Sequence, residues 1–205
     1  DRSGVTTQIP IEPRTFWTPR LSPDGRQFAV VVDDRGRLNI WIYRFDNATF
    51  LPIASEGINR APMWTRDGLR LTYLSERDGV RHLMSQPSDS SAPAESLLTS
   101  QNDDLFPGSW SADGRSLVYV DQFDAKSELR VLPIDGREVA TLSGIPRGSN
   151  RPAISPDGRW LAFGIRSSEA SGRPAIYVQP FPGPGPSRQF VDAASEPVWS
   201  RDGEK

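Results

Sequence analysis

One short phrase recurs five times along this 205-residue chain and constrains its fold more than any other feature. Each copy places a serine or threonine two residues before an Asp-Gly pair, and the steps between copies are 43, 46, 44 and 45 residues. Asp-Gly is a turn signal, because glycine accepts positive φ and the carboxylate accepts hydrogen bonds from nearby backbone amides. We therefore interpret the repeated aspartates as structural turn residues: Asp24, Asp67, Asp113, Asp157 and Asp202.

The sequence between these turns predicts four short strands in each repeat. The segment after each turn is rich in apolar, β-branched and aromatic residues, as in residues 28–32 and 71–74, which is typical of buried strands. The fourth strand is more polar, which suits an outer edge. A period near 45 residues with strands inside each unit indicates a β-propeller. The expected fold is all-β, with four full blades of four antiparallel strands and part of a fifth, in one domain over residues 1–205.

Composition argues against several partner classes. The 24 basic and 26 acidic residues leave a net charge of −2, which gives no reason to expect binding to nucleic acid or to anionic membranes. The absence of cysteine removes disulfides and thiolate metal sites. No apolar run approaches the roughly 20 residues that a membrane span needs. Neither nucleic-acid binding nor membrane insertion is predicted.

The repeats resemble the WD-like β-propeller repeats of the TolB family from about Trp17 onward. Three phrases are also similar to propellers found C-terminal to bacterial serine/threonine kinases: NRAPMWT at residues 59–65, FPGSWS at 106–111 and YVQPFPGPG at 177–185. The resemblance implies protein or peptide partners. It favours a periplasmic or extracytoplasmic location, and the residues themselves leave a cytoplasmic one open.

TolB-like propellers usually have six blades, so the resemblance also implies that this chain is truncated at its C-terminus. A complete ring would need roughly 70 further residues after Lys205. Residues 5–11 are expected to form the outer strand that closes the ring against the last blade. An open arc would leave an unpaired edge, which favours self-association.

No catalytic constellation is recognisable in the sequence. The single histidine is His82, and there is no Gly-x-Ser-x-Gly elbow, P-loop or kinase glycine loop. The expected role is a non-catalytic binding or sensing module without cofactor or metal. The main alternative is a regulatory or gating propeller of a larger kinase or prolyl-oligopeptidase-like enzyme. A stand-alone hydrolase or lyase using carboxylates or a metal in the channel is a third hypothesis, with Asp103, Asp104 and Glu196 as its candidates.

The residues just before the first strand of each repeat are the candidate binding site, because in propellers they enter the central channel. Loops from several blades converge at such a rim, and its Arg, Asn and acidic groups can hydrogen-bond a peptide terminus or a small polar ligand. The alternative is a solvated channel with ordinary ion pairs between blades. The candidates are Trp17, Asn59, Arg60, Asp103, Asp104, Asn150, Arg151 and Glu196. Trp64, Trp110 and Trp199 recur at one repeat position and are expected to pack between blades.

Overall fold

Sixteen strands make up the architecture of the part of the chain that the structure describes. The computed structural model describes residues 4, 6, 8–54, 56–101, 103–123, 126–166, 172–183 and 185–200. Within these ranges the strands form four sheets of four antiparallel strands, each sheet built from consecutive strands. These ranges contain no helix that could cross a membrane. The predicted all-β propeller of four-stranded antiparallel blades is confirmed.

The four blades follow one another along the chain. Their strands are β1 Thr15–Leu21, β2 Gln27–Asp34, β3 Arg37–Arg44 and β4 Thr49–Ala54 in blade 1; β5 Ile58–Trp64, β6 Arg70–Arg77, β7 Val80–Pro87 and β8 Glu95–Ser100 in blade 2; β9 Asp104–Trp110, β10 Ser116–Phe123, β11 Lys126–Pro133 and β12 Ala140–Thr141 in blade 3; and β13 Ser149–Ile154, β14 Trp160–Ile165, β15 Ala175–Pro180 and β16 Arg188–Asp192 in blade 4.

The Asp-Gly phrase forms the turn between the first two strands of every blade. In blade 1 the Ser22 hydroxyl donates to the Asp24 carboxylate at 2.6 Å, and the amide of Arg26 donates to the same oxygen at 3.0 Å. The amide of Gln27 donates back to the Ser22 hydroxyl at 3.0 Å. The same pattern recurs around Asp67, Asp113 and Asp157. Asp202 lies outside the described residues.

The apolar core lies between blades rather than within them. Ile40 and Ile42 of blade 1 pack with Leu71 and Tyr73 of blade 2. Equivalent clusters join blade 2 to blade 3 and blade 3 to blade 4. Because each blade buries its faces against its neighbours, the stacking of blades holds the arc together.

Tryptophans at one repeat position also link neighbouring blades. The indole N–H of Trp64 donates to the carbonyl oxygen of Arg20 in blade 1 at 2.8 Å. Trp199 makes the same bond to Ala153 at 2.8 Å, and Trp110 donates to the Thr72 hydroxyl at 3.2 Å. These contacts agree with the packing role expected from the sequence.

Both ends of the described chain differ from expectation. Of the predicted closing strand at residues 5–11, the structure describes residues 6 and 8–11, and they form no strand. Residues 196–200 precede the fifth Asp-Gly phrase, where the partial fifth blade was expected to begin, and they are irregular. A strand requires a hydrogen-bonded partner, and no described strand pairs with either segment. Trp199 nevertheless keeps its position against blade 4 through its bond to Ala153.

Candidate functional site

The first strand of every blade carries a β-bulge on the channel side. The pairing of β1 with β2 shifts between Trp17 and Arg20, and corresponding shifts occur in the other three blades. Thr18, Ala61 and Arg151 sit in these bulges with φ of 48°, 53° and 50°. A bulge bends its strand and re-aims the side chain that it carries. Equivalent positions of several blades are thereby turned toward one space.

That space is a cavity of about 770 Å³, here called the mouth cavity. Its walls come from the first strands of all four blades, from the second strands of blades 3 and 4, from two residues between β14 and β15, and from the segment after blade 4. They comprise Thr18, Arg20, Ala61, Phe106, Pro107, Val120, Gln122, Asn150, Arg151, Pro152, Ile165, Arg166, Pro174, Ser195 and Glu196. A concave site of this size with apolar walls and a few convergent polar groups suits ligand binding.

Three of the predicted rim residues meet in the mouth cavity. Arg151 forms an ion pair with Glu196, and both side chains are more than half exposed. The Asn150 side-chain amide donates to the carbonyl of Gly148 at 3.3 Å, and Asn150 contributes to the cavity wall. Arg151 and Glu196 belong to different repeats, so the folded chain, and not proximity in sequence, brings them together.

Two arginines of the mouth cavity were missed by the sequence reasoning. Arg20 lies on β1 beyond the bulge, and Arg166 directly follows β14. Both side chains are exposed. The sequence signal for Arg20 was its place in the same first strand as Trp17, but nothing in the repeat marked Arg166.

The structure places Arg60 and Asp104 in an ion-pair network between blades 2 and 3. Arg60 lies 3.3 Å from Glu76 and 4.0 Å from Asp104, and Arg81 lies 3.2 Å from Asp104. None of these side chains lines the mouth cavity. The two arginines and two acids of this network compensate one another's charge. This arrangement corresponds to the alternative stated above, ordinary ion pairs between blades.

Asn59 and Trp17 also lie away from the mouth cavity. Asn59 is completely buried, and its side-chain amide donates to the carbonyl of Glu56 at 3.0 Å. Asn59 therefore presents no exposed surface to a ligand in this structure, and its predicted binding role stays a prediction. Trp17 is 56 % exposed on β1, but it is not part of the cavity wall.

Asp103 belongs to a separate charged cluster on blade 3. It accepts a hydrogen bond from the Ser100 hydroxyl at 3.0 Å and lines a cavity of about 290 Å³ with Asp121 and Arg130. Burial raises the pKa of the Asp121 carboxyl, while the Arg130 guanidinium at 3.0 Å opposes that shift. Asp103 and Asp104 thus face different partners. Across the described ranges, no cluster of three or more histidine and acidic side chains is arranged to hold a metal ion.

The side chain of Arg66 spans the opposite end of the channel, where the Asp-Gly turns converge. The guanidinium of Arg66 in blade 2 donates to the carbonyl oxygen of Ser155 in blade 4 at 2.9 Å, and lies 3.4 Å from that of Ile154. A cavity of about 520 Å³ beside it is lined by Trp64, Trp110 and residues of the later repeats. Arg66 therefore ties two non-adjacent blades together across the channel.

His82 lies on β7, remote in the sheet from the first strands that line the channel. Its Nδ1 is 3.4 Å from the Ser96 hydroxyl and 3.3 Å from the Thr99 hydroxyl, both on the outer strand β8. Among the charged side chains that the structure describes, no ion pair involves this imidazole. A Ser-His-Asp triad needs an acid that orients the histidine, and no such acid accompanies His82 here.

Comparison with known proteins agrees with this architecture. The chain is similar to the uncharacterized peptidase YuxL of Bacillus subtilis, with 28% identity over 157 residues, which cover 74% of this chain and 22% of the relative. It is 24% identical over 165 residues to the Tol-Pal system protein TolB of Francisella tularensis, which cover 78% of this chain and 38% of that protein. The crystal structure of TolB from Acinetobacter baumannii superimposes with a TM-score of 0.78 at 18% identity, covering 93% of this chain and 47% of that one.

The shares covered show that this chain spans less than half the length of these relatives. The likeness to the Acinetobacter structure concerns the fold alone. The family assignment rests on the sequence, since residues 3–164 match the family model of the TolB beta propeller domain. Together with the four antiparallel blades, this match shows that the chain belongs to the TolB β-propeller domain family.

Proposed function

We propose that this chain is a non-catalytic module that binds a protein or peptide partner at the mouth cavity. The observation that supports it is the convergence of Thr18, Asn150, Arg151 and Glu196, from three different repeats, on one open cavity. These groups stand on strands or on a segment anchored by Trp199, so little ordering entropy is lost when a partner binds. TolB proteins among the relatives are named for the Tol-Pal system, which agrees with a role in an assembly.

The proposal is tested by retention of a partner on the immobilised chain from extracts of the source organism. We expect the double variant Asn150→Ala, Arg151→Ala to bind the partner at least about tenfold more weakly, which corresponds to about 1.4 kcal/mol of binding free energy. Arg137→Ala is the matched control, because Arg137 is 73 % exposed, pairs with Asp135 in its own turn and does not line the mouth cavity. Equal retention by the double variant, with unchanged circular dichroism, would rule out the mouth cavity as the binding site.

A second candidate is a gating propeller attached to a peptidase. It is favoured by the similarity to the uncharacterized peptidase YuxL over 74% of this chain. The test is an assay of the natural full-length protein with fluorogenic peptides of increasing length. If the propeller acts as a gate, the cleavage rate should fall as the substrate becomes longer. Arg151→Ala should alter this dependence on substrate length. Absence of peptidase activity would eliminate this candidate and leave the binding module unaffected.

Self-association through the open faces of the arc is a further part of the proposal. Phe190 and Val198 are 77 % and 87 % exposed beside a groove of about 580 Å³ on blade 4, and Leu21 is 62 % exposed on blade 1. Leu21 occupies the repeat position at which Trp64 and Trp110 are buried against a preceding blade. We infer that blade 1 of a second copy covers the groove on blade 4, in a head-to-tail contact.

This contact is tested by light scattering over a dilution series. Phe190→Glu is expected to shift the chain toward the monomer, since a buried carboxylate would be unpaired in the contact. Phe123→Glu is the control, because Phe123 is also exposed, at 56 %, but lies at the hairpin between β10 and β11. A wild-type chain that stays monomeric at every concentration would overturn the inference.

A further inference from the structure

We propose that the mouth cavity selects a carboxylate-bearing peptide, and that Arg20 and Arg166 determine this selectivity together with Arg151. The inference rests on the proposed binding function and names the chemistry of the ligand. It concerns two arginines, Arg20 and Arg166, to which the repeat pattern assigns no role.

The charge of the mouth cavity is opposite in sign to that of the whole chain. Among the described residues that line the cavity are three arginines and one carboxylate, Glu196, which leaves a formal surplus of two positive charges in this set. The chain as a whole carries a net charge of −2. The surplus is therefore local, and it is concentrated where the blades converge. A concave site with one sign of charge raises the local concentration of ligands of the opposite sign.

Within the described part of the chain, no acidic side chain pairs with Arg20 or Arg166. The guanidinium of Arg20 donates to the carbonyl of the preceding Pro19 at 3.3 Å, a neutral acceptor. Among the ion pairs between described residues, none involves Arg20 or Arg166. By contrast, the arginines of the network around Asp104 are matched by acids. Donors of Arg20 and Arg166 therefore remain available to a ligand.

Arg151 already holds a carboxylate within the mouth cavity. That carboxylate is the side chain of Glu196, from the segment after blade 4. The planar fork of a guanidinium matches the two oxygens of a carboxylate, and such charge-assisted bonds are stronger than neutral ones. A ligand carboxylate of the same shape would fit beside this pair or replace Glu196.

The walls of the mouth cavity strengthen these interactions. Phe106, Pro107, Pro152 and Ile165 supply apolar surface around the arginines. Apolar walls lower the local dielectric constant, so charge interactions at the cavity are screened less than on an open surface. Gln122, Asn150 and Ser195 offer neutral hydrogen-bonding groups suited to a peptide backbone.

The test compares four fluorescein-labelled hexapeptides by fluorescence anisotropy with the full chain. One alternates glutamate and glycine with a free C-terminal carboxylate, and a second carries glutamine and an amidated C-terminus. A third peptide carries glutamate and an amidated C-terminus, and a fourth carries glutamine and a free C-terminus. These two separate the contribution of side-chain carboxylates from that of the terminal carboxylate. We expect a carboxylate-bearing peptide to bind at least about tenfold more tightly than the neutral one, with the preference falling as salt rises.

Variants assign the preference to named residues. Arg20→Gln with Arg166→Gln should abolish the preference for carboxylate, whereas Arg137→Gln should leave it intact. Glu196→Gln should increase it, because it frees Arg151, and a merely structural role of these residues would not produce a gain. Circular dichroism and thermal midpoints verify that each variant is folded.

Two outcomes would overturn the inference. Equal binding of all four peptides, with loss of all four in the Asn150→Ala, Arg151→Ala variant, would leave the proposed binding function standing without selectivity for carboxylates. Failure of every peptide to bind would reject selectivity for a short carboxylate-bearing peptide, and the partner-retention experiment would then decide the proposed function separately.

Discussion

At the scale of single residues, the repeated aspartates stabilise their turns as charged acceptors. Bonds from the Ser155 hydroxyl, then from the amide and side chain of Arg159, hold the pKa of the Asp157 carboxyl well below its usual range. Hydroxyl and amide bonds lower the pKa of Asp24, Asp67 and Asp113 in the same way. Since the folded pKa lies below the unfolded value of 3.8, the charged turns favour the folded state above that pH.

This linkage predicts acid sensitivity at the turns. The stabilisation is fully present above pH 3.8 and is lost as the pH falls from there through the folded pKa. Asp157→Asn should lower the thermal midpoint at neutral pH. On acidification, the midpoint of this variant should fall less than that of the wild type. Asp46→Asn, in an exposed turn of blade 1, is the control. A variant whose midpoint falls with acid as steeply as that of the wild type would contradict the assigned cause.

At the scale of elements, the close approach of blades 3 and 4 depends on a missing side chain. Blades 1, 2 and 4 have proline after the bulge residue, whereas blade 3 has Gly108. A Cβ at Gly108 would lie 2.3 Å from Cγ of Pro152 and 2.8 Å from the carbonyl oxygen of Val118. Such distances are below van der Waals contact, so a side chain here would push the two inner strands apart.

Gly108→Ala should therefore destabilise the chain by about 1–3 kcal/mol through overpacking. The measurement is the free energy of unfolding in urea. Gly183→Ala is the matched control, since a Cβ at Gly183 meets no atom within 4 Å. Equal free energies for the two variants would show that blade 4 can shift to accommodate the methyl group.

The indole bonds between blades give a second prediction at this scale. Trp64→Phe removes the donor to the Arg20 carbonyl while keeping an aromatic ring in a site that is 8 % exposed. The loss should be about 1 kcal/mol for the hydrogen bond. Trp160→Phe serves for comparison, because Trp160 is 43 % exposed on blade 4. If both variants lose the same free energy of unfolding, the bond to Arg20 does not couple blades 1 and 2.

At the scale of the whole molecule, the curvature of the arc is supported by contacts between non-adjacent blades. Blades 2 and 4 are separated by blade 3, yet Arg66 reaches the carbonyl of Ser155 at 2.9 Å. The other described turns have Pro23, Ala112 and Pro156 at this position, and these residues cannot make such a bond. We expect this bond to help hold blade 4 in place relative to blade 2.

Arg66→Ala should loosen blade 4 more than blades 1 and 2. Hydrogen exchange is expected to quicken in β13 and β14, because the variant removes two contacts to their connecting segment. Arg115→Ala, in the turn region of blade 3, is the control. Unchanged exchange in blade 4 would show that stacking between adjacent blades alone holds the arc.

Particular residues show how far prediction from the sequence reached. Asp24 and its equivalents were identifiable because turn chemistry is local, and Trp64 because its repeat position faces a neighbour. Asn59 was expected at the channel rim, but its side chain is buried. The repeat register gives the strand to which a residue belongs but not the side on which the residue is buried. The kinase-linked architecture, the number of blades in the natural ring and the location in the cell stay predictions.

The sequence by itself determined the blades, since Asp-Gly turns and short apolar, β-branched strands are specified by neighbours in the chain. Only the tertiary structure decided the site. Arg20, Arg151, Arg166 and Glu196 lie in three different repeats, and they share one cavity because the inner strands stack around an axis. The bulges then turn equivalent positions inward. Local sequence encodes turns and strands, whereas convergence across more than a hundred residues follows from the packing of blade on blade.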